Sequence, residues 1–420
     1  MKKLILTLIL GQFYLFSTAQ IIVADHTVVD QYDKIPQEWI DKVEKIWVAM
    51  VGASHGSNYV NGGQLLEDLN SKFQFNKQTY GTPSKSLTNG LRFNAAHWGT
   101  RESTTGWSWY DVADDFWTND AAISQVKTSL SYSNQGGWTL FGFMYGWSYE
   151  VSQKEPTGQY DPVYHVRWAG KTEAGIDGSE NWGLDAGDVS LTGNRVTMQN
   201  YIDAMHEFED YIADNNLGTK MIWTTGPVDT DAGNLAIDEV GYQAYLKWEH
   251  IRNYVGGLSG THYLLDYADI LTYNDAGVQS TTTWRDNNGT LQTFPIISPE
   301  NEQVPIEAHI GDAGKLKLAK ASWWLFARML GWDGTPTAIN DLNLDKDFTL
   351  VLNGDDLSLK FEDNYIGSTV SLYDTSGRVL DKKKVLSNSC RFNIGQLSKG
   401  VYLLVLSDGK SGSTKFVKFK

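Results

Sequence analysis

At 420 residues, with a net charge of −15, 16 Trp and one cysteine, the chain is long enough for a large domain and a smaller one. The acidic balance excludes nucleic acid as a partner, because a phosphate backbone needs a basic face, and it disfavours acidic polymers. Cys390 stands alone, so an exported form has no internal disulfide and must rest on its core, as suits a bacterial secreted protein.

Residues 1–19 place Lys2-Lys3 before an apolar run and Ser17-Thr18-Ala19 after it, the pattern of a secretory signal cut after Ala19. No later segment approaches the length of a membrane span. Residues 20–334 alternate between strand and helix patterns. The run 46–51 reads as a strand buried on both faces, and Leu65, Leu66 and Leu69 then recur at helical spacing. The pattern predicts further strands over 91–95, 138–145, 220–225 and 263–273. It predicts helices over 120–131, 198–215, 239–254 and 313–330, the second with Tyr201, Met205, Phe208 and Ile212 on one face. Such alternation predicts an α/β fold, a parallel sheet flanked by helices, with its active edge at the carboxyl ends of the strands.

A linker follows at 335–345, and Trp is absent from there on. Residues 346–420 hold short β-runs (FTLVL, LSLKF, TVSLYD, RVLDKKKV, VYLLVL, TKFVKF) separated by turn signals such as Asp374-Thr375-Ser376-Gly377, which predicts a small β-sandwich. The segments Val370–Leu380, Leu397–Leu404 and Thr414–Lys418 closely resemble the type A sorting domain of the Bacteroidetes type IX secretion system. That resemblance implies export across both membranes to the cell surface or the medium, with the secretion machinery as a partner.

Four loops at predicted strand ends carry candidate chemistry. They are Gly52-Ala53-Ser54-His55, Phe93–Thr100, Tyr145-Gly146-Trp147-Ser148-Tyr149, and Glu307–Leu316, where His309 precedes a helix that Asp312 is expected to cap. Taken together they resemble the SGNH (GDSL-type) hydrolases, which have a flavodoxin-like fold. The resemblance implies Ser54 as nucleophile and His309 as base, with the backbone of Gly99 and the hydroxyl of Ser148 as oxyanion donors. Two departures from the family stand out. Ser148 occupies the slot of its Asn, and Ile306 that of its Asp, leaving Glu307 nearest, with Asp275, Glu300 and Glu302 on the same loop.

Beside these, His55, His97, Trp98, Trp147, Arg167 and Trp168 are candidate substrate contacts, the last two from an unusually long insertion over 150–196. Asp177, Asp185 and Asp188 lack the rhythm of a calcium loop, and neither a zinc cluster nor a phosphate loop is evident, so no metal or cofactor is expected. The resulting expectation is an exported carbohydrate esterase that removes acyl groups from a polysaccharide. The rivals are a non-catalytic glycan-binding protein on the same scaffold, and a lyase or glycosidase using the acidic 274–307 loop.

Overall fold

The computed structural model describes residues 21–52, 55–78, 90–95, 117, 120–135, 139–147, 161, 163–166, 168, 197–228, 239–286, 288–303, 309–335, 348–353, 356–361, 365–374, 378–398, 400–407 and 412–419. Ser54, His97, Trp98, Gly99, Ser148, Arg167 and Glu307 lie outside the described residues, as do the signal segment and most of the linker. The chain divides into two units, one ending at Asp333 and the other comprising Gly334–Lys420 together with Lys34–Trp39.

The strands of the first unit are β1 (Ile21–Ala24), β2 (Trp47–Gly52), β3 (Phe75–Gln78), β4 (Leu91–Ala95), β5 (Gly142–Gly146), β6 (Lys220–Thr224) and β7 (His262–Leu265). The helices in chain order are α1 (Gln37–Val43), α2 (Gly56–Leu69), α3 (Asp120–Gln135), α4 (Met198–Asp214), α5 (Glu239–Gly256), α6 (Tyr267–Thr272) and α7 (Asp312–Met329). The strands form one parallel sheet in the order β1-β7-β6-β5-β2-β4-β3. Setting aside the edge strands β1 and β3, the central five follow a doubly wound order in which the first strand, β2, lies between the second and the third.

Both faces of this sheet are covered. Every residue of β5 is buried, as a parallel strand between two helical layers requires. Val48 is in register with Phe93 and Gly142, and the Phe93 ring meets Tyr59 of α2 and Phe326 of α7 at 6.3 and 6.0 Å. One residue along, Phe143 faces the other way and meets Phe208 of α4 at 5.7 Å. On the first of these faces α2 and α7 approach closely at Gly62, where an added Cβ would lie 2.0 Å from the Lys315 carbonyl oxygen.

On the second face, aromatic rings make up much of the core. Trp147 contacts Trp117, Tyr201 and Trp248 at 5.6, 4.6 and 5.1 Å, and lies parallel to Trp168 at 6.4 Å. Lys247 is 0 % exposed among them, its ammonium 4.8 Å above the Trp168 ring and 3.4 Å from the Gln243 carbonyl. Burial drives its pKa well below the usual lysine value, with Asp161 opposing the shift.

Several expectations are corrected. The single strand expected over 263–273 ends at Leu265, because the Asp266 carboxylate accepts the Asp269 N–H and caps α6. The expected open loop over 274–307 contains an antiparallel hairpin, β8 (Thr281–Arg285) and β9 (Leu291–Pro295), whose turn is closed by Asp286 accepting the N–H groups of Asn288 and Thr290. Gly311, with extended backbone, is the N-cap of α7; Asp312 sits in its first turn and pairs with Lys315 at 3.0 Å. Among the described residues, no helix is long and apolar enough to cross a membrane.

The second unit holds β10 (Phe348–Asn353), β11 (Asp356–Phe361), β12 (Thr369–Tyr373), β13 (Val379–Lys384), β14 (Ser389–Asn393), β15 (Gly400–Ser407) and β16 (Gly412–Phe419). They form two antiparallel sheets, β10-β11-β14 and β13-β12-β15-β16. Leu357, Leu359 and Phe392 from one sheet share a core with Val370, Leu372, Leu404 and Leu406 from the other, which makes the unit a sandwich.

Two predictions follow from this packing. Gly62→Ala forces α2 and α7 apart and is expected to cost about 1–3 kcal/mol in denaturant unfolding; stability equal to wild type would contradict the close approach. The lowered Lys247 pKa means that the unfolded chain binds more protons between that value and the ordinary one, so this group's contribution to stability rises with pH across the interval. The thermal-stability difference between wild type and Lys247→Met should therefore shift in favour of wild type from pH 7 to pH 9.5, and a pH-independent difference would refute the assignment.

Candidate functional site

Open doubly wound sheets bind ligands outside the carboxyl ends of their strands, at the point where strand order reverses. Here that point lies between β2 and β5. Their last residues, Gly52 and Gly146, are in register, so the two chains leave the sheet at the same level. Ser54 follows the first by two residues and Ser148 follows the second by two. His55, bonded to Ser54, is the N-cap residue of α2 and is 1 % exposed.

His309 reaches this edge from far along the chain. The buried Asn301 side chain donates to the carbonyls of Leu271 and Tyr273 at 2.8 and 3.1 Å, fixing the turn Pro299–Asn301 against the end of α6. The Gly311 N–H then donates to the Asn301 carbonyl at 2.8 Å, and Glu302 forms a β-bridge with Ile310. Gly311 is required there, because a Cβ would sit 2.3 Å from the Glu302 oxygen. The result brings the half-buried His309 ring to 5.0 Å from the His55 ring, tilted by 38°.

The acids of the 274–307 segment are partly committed elsewhere. Asp275 pairs with Lys317 at 2.8 Å, which lowers its pKa, and Glu300 accepts the Asp275 N–H at 2.9 Å. Two of the expected substrate contacts are corrected. Trp147 and Trp168 are 2 % and 0 % exposed and belong to the aromatic core, with the Trp147 N–H donating to the Thr224 carbonyl at 3.1 Å. Neither offers a face to a sugar. His55 is likewise buried against His309, a supporting position with little surface for a polymer.

A second polar region on the same edge had no counterpart in the sequence reading. Beyond β6 and β7 lies a cavity of about 250 Å³ lined by Tyr245, Trp248, Glu249, Arg252, Asp269, Thr272 and Gln279, among others. Arg252 donates from Nε and Nη2 to the two oxygens of the buried Asp266 at 2.6 and 2.8 Å, and from Nη1 to Glu249 at 2.5 Å. Burial works against its charge, but the two carboxylates outweigh burial and raise its pKa. Thr225 completes the cluster by donating to Asp266 at 2.7 Å and accepting the Ala268 N–H at 2.9 Å.

At the β1 edge, Asp269 accepts from the His26 backbone N–H at 2.9 Å and from its Nδ1 at 2.5 Å, while the His26 ring stacks on Tyr273 at 3.4 Å. Burial, then the nearby Asp266, raises the Asp269 pKa, and His26 opposes the rise. Asp25, His26 and Asp269 have donor atoms close enough to share a cation. The first oxygen of each Asp is already engaged, that of Asp25 by Thr27 and that of Asp269 by His26, so the trio reads as a local hydrogen-bonded cluster. A sequence signal for this edge existed in Ile21–Ala24 followed at once by Asp25-His26, the same strand-then-polar pattern as at Ser54.

Comparison with known proteins bears on the second unit. No curated protein matches the chain. Among solved structures, a domain of a biofilm-associated protein is similar over 35% of this chain at 13% identity and a TM-score of 0.14, and the chain spans only 24% of that protein's length. An engineered protein is similar over 91% of this chain and 79% of its own, at 10% identity and a TM-score of 0.20. Likenesses this weak assign neither fold nor activity. Residues 353–419, by contrast, match the family described as the secretion system C-terminal sorting domain. That domain marks the chain for the type IX secretion machinery, and so for the cell surface or the extracellular space.

Proposed function

We propose that the first unit is a serine-dependent carbohydrate esterase of the SGNH type, acting outside the cell on an acylated polysaccharide. The observation that carries this reading is the contact between His309 and His55 at the sheet's reversal point. It supports a base from the last loop meeting a hydroxyl, on the residue before His55, at the end of the first central strand. The export signal agrees with a polymeric substrate that cannot enter the cell.

In this reading His309 takes the Ser54 proton and the alkoxide adds to the ester carbonyl. The oxyanion is met by the backbone N–H groups of Ser54 and Gly99 and by the Ser148 hydroxyl, each worth about 3 kcal/mol when preorganised. The protonated His309 returns its proton to the departing sugar hydroxyl, and water, deprotonated by the same imidazole, releases the acid. With Asp275 held by Lys317 and Glu300 turned to the Asp275 backbone, Glu307 is the proposed partner that orients His309.

The test is acid release from p-nitrophenyl acetate and from acetylated polysaccharides. Ser54→Ala and His309→Ala are each expected to lower kcat by about 10³-fold or more, and Glu307→Gln by less. Acid release that persists in Ser54→Ala overturns the reading. Reducing ends or unsaturated products without acid release would assign a glycosidase or lyase, and binding without turnover a glycan-binding protein.

A further inference from the structure

We propose that the cavity beyond β6 and β7 is a subsite for one neutral sugar residue of the polymer, entered along the aromatic strip Tyr245–Tyr242–Trp284. This rests on the polysaccharide reading for the identity of the polymer, but requires no serine chemistry.

Three features select the ligand. The first is size. About 250 Å³ falls below the roughly 300–1,000 Å³ of sites for drug-sized ligands and suits a single ring. The second is the mixture of surfaces. Tyr245 supplies aromatic carbon, while Glu249, Arg252, Asp269 and Gln279 supply hydrogen-bonding groups. A pyranose has the matching character, with C–H faces that pack on rings and a rim of hydroxyls that both donate and accept.

The third feature is charge. Among the described residues Arg252 is the one cation lining the cavity; it donates two N–H groups to Asp266 and one to Glu249, and Asp269 lines the same cavity. The described charged groups of the site therefore sum to a negative charge, and the guanidinium is committed among them. A uronate or sulfated sugar meets repulsion there. A small cation is disfavoured because Asp266 is filled by Arg252 and Thr225, and Asp269 by His26.

The approach to the cavity is aromatic. Tyr242 lies 6.3 Å from Tyr245 and 5.7 Å from Trp284 on β8, and all three rings are half-buried. Among the described tryptophans of the first unit, Trp284 alone is not buried. A row of partly exposed rings ending at a polar cavity suits a chain of sugars laid along the surface with its last ring inside.

The cavity also lies close to the proposed chemistry. One side of α6 gives Ala268, Asp269 and Thr272 to it, while Leu271 at the end of the same helix accepts the hydrogen bond from Asn301 that fixes the His309 loop. A sugar held here would thus be bound one short helix away from the proposed base.

The experiment titrates the full-length protein, by tryptophan fluorescence and calorimetry, with cellohexaose, xylohexaose, mannohexaose and an oligogalacturonate of equal length. At least one neutral hexasaccharide is expected to bind and the oligogalacturonate at least tenfold more weakly. Tyr245→Ala and Trp284→Ala should each weaken the neutral ligand by tenfold or more with an unchanged thermal midpoint, and Gln279→Ala should weaken it by severalfold. Ser54→Ala should bind as wild type does, so failure of the esterase reading leaves this result standing, and the reverse also holds. Preference for the uronate, no binding by any neutral oligosaccharide, or wild-type affinity in both aromatic variants overturns the proposal.

Discussion

The close approach of α2 and α7 is the constraint on which the proposed site depends. Two glycines, Gly62 and Gly63, inside a helix cost it roughly 1 kcal/mol each in propensity, and only packing offsets that cost. At Gly62 the return is contact with the α7 backbone at Lys315 itself, closer than any side chain would permit. Because α7 is seated there, the loop that precedes it arrives over the start of α2, and His309 meets His55. Two segments about 250 residues apart in sequence are thus brought together by a missing methyl group one turn and a half into a helix.

The two faces of the sheet do different work. The α2–α7 face sets the loops at the carboxyl edge. The opposite face is filled with indoles and phenols packed at tilted and edge-on angles, which bury large areas per residue and leave little freedom for repacking. Lys247 is an exception within it, an amine buried against the Trp168 ring whose burial lowers its proton affinity. The Arg252–Asp266 pair follows the opposite logic. Its two parallel hydrogen bonds compensate for desolvation and preserve both charges, and they tie α5 to the start of α6 beside the cavity.

Much of this was legible in the sequence where the physical signal is strong. Continuous apolar runs such as Trp47–Val51 must be covered on both sides, so they specify parallel strands and hence the α/β fold. The sorting sandwich was legible because alternating β-runs and specific turn motifs coincide. The edge strands β1 and β3, four residues each, are too short to show a period, and the exposed Thr-rich β8 carries no apolar stripe. Trp147 and Trp168 misled because an indole flanked by polar loop residues looks the same in sequence whether it faces solvent or core. Arg252, Tyr245 and Asp269 sit on helices with ordinary amphipathic patterns, and only the fold shows that these helices share a cavity.

The strand ends also explain why two histidine pairs on one edge are not equivalent. His26 has its own carboxylate, Asp269, the arrangement of an oriented base. Yet its ring is stacked flat on Tyr273 at 3.4 Å, beside an outermost strand, and the hydroxyl next to it, Thr27, is turned to Asp25. His309 instead reaches the reversal point, the place where open α/β sheets bind their ligands, and where His55 is bonded to a serine. In an open α/β sheet a base is useful only where the topology also leaves room for a substrate. By that criterion the proposed base is His309 rather than His26, although His26 has a carboxylate of its own.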